Sequence, residues 1–224
     1  MASSFRVSGW TIAGTILMSI TIVLLLFSSA YPYWQQSAKM RDTGISSVGL
    51  WAVCFREDGY PAPTWANDVL GNRYYGCNYV FDRDLRKIVD WIFPGWFKAV
   101  VIFVTLGLIT QPVGIILNIL YYVRACSAHN EHLLLMISSA LNAVEGGLVA
   151  LAIIMFGIIS AQDAKWMPQP ESNHLSYSYA VCALVPVLCF LASMCHSVDF
   201  LRLKAYRDRD ARAKVYARGE FARY

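Results

Sequence analysis

Four stretches of this sequence stay apolar long enough to cross a lipid bilayer: Gly9–Phe27, Phe97–Val123, Leu133–Ser160 and Tyr177–Phe200. A hydrocarbon layer roughly 30 Å thick is spanned by about 20 helical residues, so each block suffices alone. The whole composition agrees, since 57% of the 224 residues are hydrophobic, 15% are charged and the mean hydropathy is +0.43. That is too oily for an ordinary soluble domain. The expectation is one membrane unit over 1–224, with spans at 9–30, 97–123, 133–160 and 177–200. The first block invites a rival reading, because Arg6 precedes it and Ser28-Ser29-Ala30 follows it in the manner of a signal peptide. The apolar core of a signal peptide usually runs roughly 7–15 residues, and this one is longer, so it is read as a retained helix.

Orientation follows from lysine and arginine close to the spans. The segment 201–224 carries eight (Arg202, Lys204, Arg207, Arg209, Arg212, Lys214, Arg218, Arg223) against three acids (Asp208, Asp210, Glu220). It is expected in the cytoplasm as a basic tail beside the anionic leaflet, not as a nucleic-acid site. Four spans then put 1–8 and the turn 124–132 inside and the segments 31–96 and 161–176 outside. Cys54 and Cys77 fall on the first outer segment, where an oxidising compartment favours a disulfide, whereas Cys126, Cys182, Cys189 and Cys195 lie in or near the spans and the inner face.

The outer segment 31–96 is too long to be a structureless connection. Ile45–Phe55 and Tyr74–Phe81 have the aromatic and β-branched content of strands, and Arg56–Asn72, with Gly59, Pro61, Pro63 and Gly71, reads as turn and loop. A small antiparallel sheet on the outer ends of the helices is expected. Asp82–Trp91 places Leu85, Ile88 and Val89 at helical spacing, which predicts an amphipathic helix near the lipid surface, stopped by Pro94-Gly95. Trp91, Phe93, Trp96 and Phe97 at that junction look like interfacial anchors. Gly14, Gly107, Gly114, Gly146, Gly147 and Gly157 are expected where helices approach closely, and Pro112 and Pro186 as sites able to bend their helices.

Catalytic chemistry has little support. Glu145, in LNAVEGGLV, is the ionisable residue well inside a span. It is either protonated and facing the interior beside a partner such as Asn118 or Asn142, or functional. His129, His132 and His196 are too scattered for a metal site. With no phosphate-binding loop, nucleophile elbow or pair of broken helices, neither an enzyme nor a secondary transporter is expected, and no cofactor or metal is implied.

Trp34 followed by Gly49-Leu50-Trp51, Cys54 and Cys77 resembles the W…GLW…C…C signature of the claudin family, within the superfamily of claudins, peripheral-myelin-type proteins and γ-type auxiliary subunits. The likeness extends to the order of spans, the long first and short second outer loops and the basic tail. It implies a membrane all-α, left-handed four-helix transmembrane bundle crowned by a small extracellular antiparallel β-sheet, to which the second loop adds a strand. In that fold Cys54 is bonded to Cys77, Trp34 anchors the sheet at the membrane, and Leu50 and Trp51 wedge it onto the bundle. It also implies assembly with itself or other claudin-like proteins in cis and in trans, at cell–cell junctions of the plasma membrane, with no nucleic-acid partner. The function implied is cell adhesion and a paracellular barrier in which loop charge sets ion selectivity. Here 31–96 holds seven basic and seven acidic residues, and the residue after the second cysteine is the neutral Asn78, which favours a barrier over a selective pore. Trp166, Met167 and Pro168, in AKWMPQP, are expected as an exposed apolar tip meeting either an opposing protein or lipid headgroups.

Some features depart from the family pattern. The Cys54–Cys77 interval is long, with an insert GYPAPTWAND, and the tail ends Ala222-Arg223-Tyr224 instead of the Tyr-Val type that scaffold PDZ domains capture. Such departures suit an invertebrate-type, septate-junction relative better than a vertebrate tight-junction one. Cys126 and Cys195 sit where relatives are often palmitoylated, and an unmodified apolar cysteine fits equally. The competing function, from another class, is an auxiliary subunit gripping a channel or receptor from the side, faintly suggested by SYSYA at Ser176–Ala180.

Overall fold

The structure is a computed structural model that describes residues 8–38, 44–56, 60–61, 73–123, 131–167 and 170–221. Four long helices dominate it: α1 (Gly9–Ala30), α3 (Gly95–Tyr122), α4 (Glu131–Gln162) and α5 (Tyr177–Phe221). Between α1 and α3 run six short strands, β1 (Gln35–Ser37), β2 (Ile45–Val48), β3 (Ala52–Phe55), β4 (Tyr60–Pro61), β5 (Arg73–Tyr74) and β6 (Cys77–Tyr79), then a 3-10 turn at Asp84–Lys87 and the one-turn helix α2 (Val89–Ile92). A seventh strand, β7 (Asn173–Leu175), leads into α5. This is a mostly helical membrane fold with a small antiparallel sheet.

The helices close into a ring in which α1 touches α3 and α5, and α4 touches α3 and α5. Their outer faces are greasy: Ile16, Val23, Ile102, Ile109, Ile116 and Ile154 are exposed, whereas Gln111, Asn118, Asn142, Glu145 and His196 are buried inside. In water this inside-out arrangement would be unstable, because apolar area would face solvent and polar groups would be desolvated. In a bilayer it is the low-energy one. Polar contacts then join the helices, as where Ser139 Oγ donates to the Ser193 carbonyl oxygen at 3.0 Å and lies 2.7 Å from Ser197 Oγ. Gly14 lets α1 approach α5 so closely that a Cβ there would stand 2.6 Å from His196 Nε2. Gly147, expected at such a contact, has nothing within 4 Å of that position.

The sheet caps one end of the ring in the order β6-β3-β2-β1-β7, all antiparallel, while β4 and β5 form a separate two-stranded piece. The run Ile45–Phe55 is not one strand. It folds back at Gly49–Trp51 into the hairpin of β2 and β3, with Val48 opposite Val53. The expected continuous strand is broken where Leu50 turns into the core, fully buried.

Three further expectations change. Asp82–Trp91 is not one helix: a 3-10 turn and α2 meet at Ile88, whose φ of −114° and ψ of 7° leave the helical region. A 3-10 turn brings i and i+3 into line, and Leu85 and Ile88 are both buried. The aromatics at the junction are core and not interfacial anchors: Trp91, Phe93 and Phe97 are buried, and only Trp96 is half-buried. Finally, α5 does not end with the apolar block but continues unbroken through 201–221. Alanine, arginine and lysine favour helix there, and Lys214 lies 3.9 Å from Asp210 one turn earlier.

Candidate functional site

The motif residues meet where the sheet joins the bundle. Trp34, between α1 and β1, is fully buried. Its indole N–H donates to the Ser28 carbonyl oxygen at 2.9 Å, and its ring stands edge-on to Phe156 of α4 and Tyr179 of α5. One side chain thus touches three helices. Its backbone N–H donates to the Val48 carbonyl oxygen at 2.8 Å and its carbonyl oxygen accepts from Ser176 N–H at 2.9 Å, so it also ties β2 to the lead-in of α5.

Gly49 is glycine because of a backbone contact: a Cβ there would lie 2.4 Å from Pro32 Cα and 2.9 Å from the Tyr31 carbonyl oxygen. The hairpin turn therefore lies directly on the segment leaving α1. Leu50 then fills the core, while Trp51 is half-buried and stacks on Phe81 at 5.9 Å. Cys54 is bonded to Cys77 across β3 and β6, where the two are register partners. The bond closes a separation of 23 residues, which loop-closure entropy converts to about 3 kcal/mol.

Beneath the sheet lies an aromatic cluster, and it overturns one expectation. Trp166 and Met167 are 3% and 1% exposed, so they form no apolar tip. Trp166 stands edge-on to Trp96 at 4.9 Å and Phe156 at 5.8 Å, and its indole N–H donates to the Ile92 carbonyl oxygen at 2.7 Å. The physical reason is Asp163, which ends α4 by accepting from the backbone N–H groups of Lys165 and Trp166 and so curls the connection inward. Trp96 Nε1 donates to the same carboxylate at 3.2 Å. Nothing in the sequence separated this buried tryptophan from an exposed one except that Asp-x-Lys-Trp turn chemistry. Pro168 lies outside the described residues, as do Cys126, His129 and nearly all of the GYPAPTWAND insert.

Deeper in the bundle a second set of polar groups collects. Gln111 Nε2 donates to the Met18 carbonyl oxygen at 2.8 Å and to Thr21 Oγ1, and Asn118 Nδ2 reaches Ser138 Oγ at 3.0 Å and the Gly114 carbonyl oxygen at 3.0 Å. Asn142 Nδ2 donates to the Ser138 carbonyl oxygen at 2.7 Å. Glu145 faces inward at 1% exposure, but its neighbour is the Cys189 thiol and not Asn118 or Asn142, which are bonded to Ser138, the Gly114 carbonyl and Met18. Its Oε1 has no hydrogen-bond partner among the described residues. Asp199 was not singled out in the sequence; it is buried midway along α5 and accepts from Thr11 N–H at 2.8 Å and from Thr11 Oγ1. It falls inside the fourth apolar block, 177–200, one residue before that block ends. His132 stacks on Phe200 and contacts Arg207, and His196 lies 3.5 Å from Ser138 Oγ. Among the described residues no three His, Cys, Asp or Glu side chains gather as a metal site would require.

A family model described as PMP-22/EMP/MP20/Claudin tight junction matches residues 19–198. This chain belongs to the claudin superfamily. The match takes in all of the sheet, the disulfide, the Trp34 clamp and most of the four spans, and leaves out the tail helix. Membership in the claudin superfamily makes the protein a multi-pass membrane protein of the junction or peripheral-myelin type, in a family not known as enzymes. A search of curated proteins returned no match.

Proposed function

We propose that this protein is a claudin-like junction subunit that assembles laterally within one membrane and face to face between cells, forming a paracellular barrier. The observation that supports this most is the clamped platform: a five-stranded sheet, disulfide-closed and tied by Trp34 to three helices, that carries exposed Tyr75, Tyr79 and Leu175. A rigid surface loses little ordering entropy on association, so modest apolar contacts suffice. Its edge strands are β6 and β7, and a sheet edge suits strand-edge association with further copies.

In this reading the sheet faces the extracellular space, as the disulfide requires, and the N-terminus and the basic helix 201–221 are cytoplasmic, as the positive-inside rule requires. The equal numbers of acidic and basic residues in 31–96 give no net field to select one ion sign, hence a barrier. With Trp166 and Met167 buried, the contact surface passes to Tyr75, Tyr79 and Leu175. Cys195, half-buried near the inner end of the fourth apolar block, is accessible to palmitoylation. Expression in epithelial cells lacking junction strands is expected to raise transepithelial resistance and produce strands at cell borders. Diffuse surface staining with unchanged resistance would refute the barrier.

A further inference from the structure

A groove of about 490 Å³ opens on the side of the bundle beneath the sheet. Its roof is Trp51 and Phe81, its end wall is Val89 of α2 with Phe93, and its floor is the Val101–Leu106 stretch of α3. Its walls are apolar. Even Thr105 contributes no free polar group, because its hydroxyl donates back to the Val101 carbonyl oxygen at 2.6 Å. We infer that this groove holds one acyl chain of a zwitterionic phospholipid from the sheet-side leaflet.

Length and charge both point to that occupant. Ile102 and Leu106 on the floor are 56% and 41% exposed on the outer face of a spanning helix, so the groove opens onto hydrocarbon. From Lys98 to Leu106 the helix rises about 12 Å, against about 15 Å for half of the hydrocarbon layer. The groove therefore runs along most of one leaflet. An apolar groove running along the helix for that length suits an extended acyl chain. At the mouth Lys98 Nζ lies 2.8 Å from Asp90 Oδ1, with both side chains largely in the open, 50% and 86% exposed. That pair sets a cation beside an anion, complementary to a phosphate and the ammonium of the same headgroup. The stem of Lys98 lines the groove while its ammonium stays at headgroup level. Phe81, 78% exposed above the opening, gains cover when a lipid is seated.

The inference rests on membrane embedding and not on barrier function, so the two fail separately. The full chain, purified in detergent micelles supplemented with phosphatidylcholine and measured by native mass spectrometry, is expected to retain one phospholipid after the annular lipids are stripped. Val101→Trp, which fills the floor, should lower that occupancy at least tenfold, and Lys98→Gln should lower it about threefold while leaving the chain folded. Should Val101→Trp misfold, phosphatidylcholine brominated in its acyl chains decides the matter in the wild type. The emission component that is lost in Trp51→Phe should then be quenched at least fivefold. No retained lipid in the wild type, equal retention in a folded Val101→Trp, or an unquenched Trp51 would overturn the assignment. So would efficient crosslinking of Phe81→Cys chains that added lipid fails to suppress, since a second copy would then occupy the groove.

Discussion

Gly49 and Glu145 show how differently single residues constrain this fold. At Gly49 the limit is contact with main chain, which cannot swing aside as a side chain can. Gly49→Ala is therefore expected to lose about 2–3 kcal/mol, at the upper end of ordinary overpacking, seen as a lower melting temperature in detergent. Glu145 lies at the opposite extreme, because its buried Oε1 satisfies no donor among the described residues. Replacing a buried, poorly satisfied polar group by an apolar one of similar size is commonly neutral or stabilising. Glu145→Leu should thus unfold at the same or a higher temperature than the wild type. A clear fall would reveal that the carboxyl group carries an interaction worth keeping.

At the scale of elements, the sheet and the α4–α5 connection act as one unit. Trp166→Ala should cost about 3–5 kcal/mol, the range for emptying a large aromatic site, whereas Trp166→Phe should keep most of the packing and lose about 1 kcal/mol with the bond to the Ile92 carbonyl. Thermal unfolding of both variants checks the difference, and equal losses would place the energy in the hydrogen bond alone. Cys77→Ser, which removes the link between β3 and β6, should cost about 3 kcal/mol. Reduction of the wild type should lower its melting temperature by the same amount as that substitution. The four apolar blocks and the paired cysteines were legible in the sequence because length, hydropathy and compartment decide them locally. The hairpin at Gly49, the broken helix at Ile88 and the inward curl at Asp163 were not. The first depends on Pro32, distant in sequence, the second on a local departure of Ile88 from helical φ and ψ, and the third on the short turn in which Asp163 accepts from Lys165 and Trp166 N–H; hydrophobic periodicity carries no information about any of them.

For the molecule as a whole, stability and adhesion are separable. Tyr75 and Tyr79 are exposed and contribute little to the fold, so the double change to serine should leave the unfolding free energy within about 0.5 kcal/mol of wild type yet, under the proposed function, reduce accumulation at cell–cell borders severalfold. Unchanged accumulation would move the adhesive surface elsewhere on the sheet. One last feature bears on what such contacts can do. Strand β7 passes through Ser176 straight into α5, and α5 runs for 45 residues without interruption, about 67 Å at the ordinary helical rise. A helix of that length works as a lever with its short arm fastened to the platform, and Pro186 is where it can bend. A tilt of roughly 10° would sweep its distant tip by about 12 Å, so under the proposed function a pull on the sheet would reach the basic end as movement.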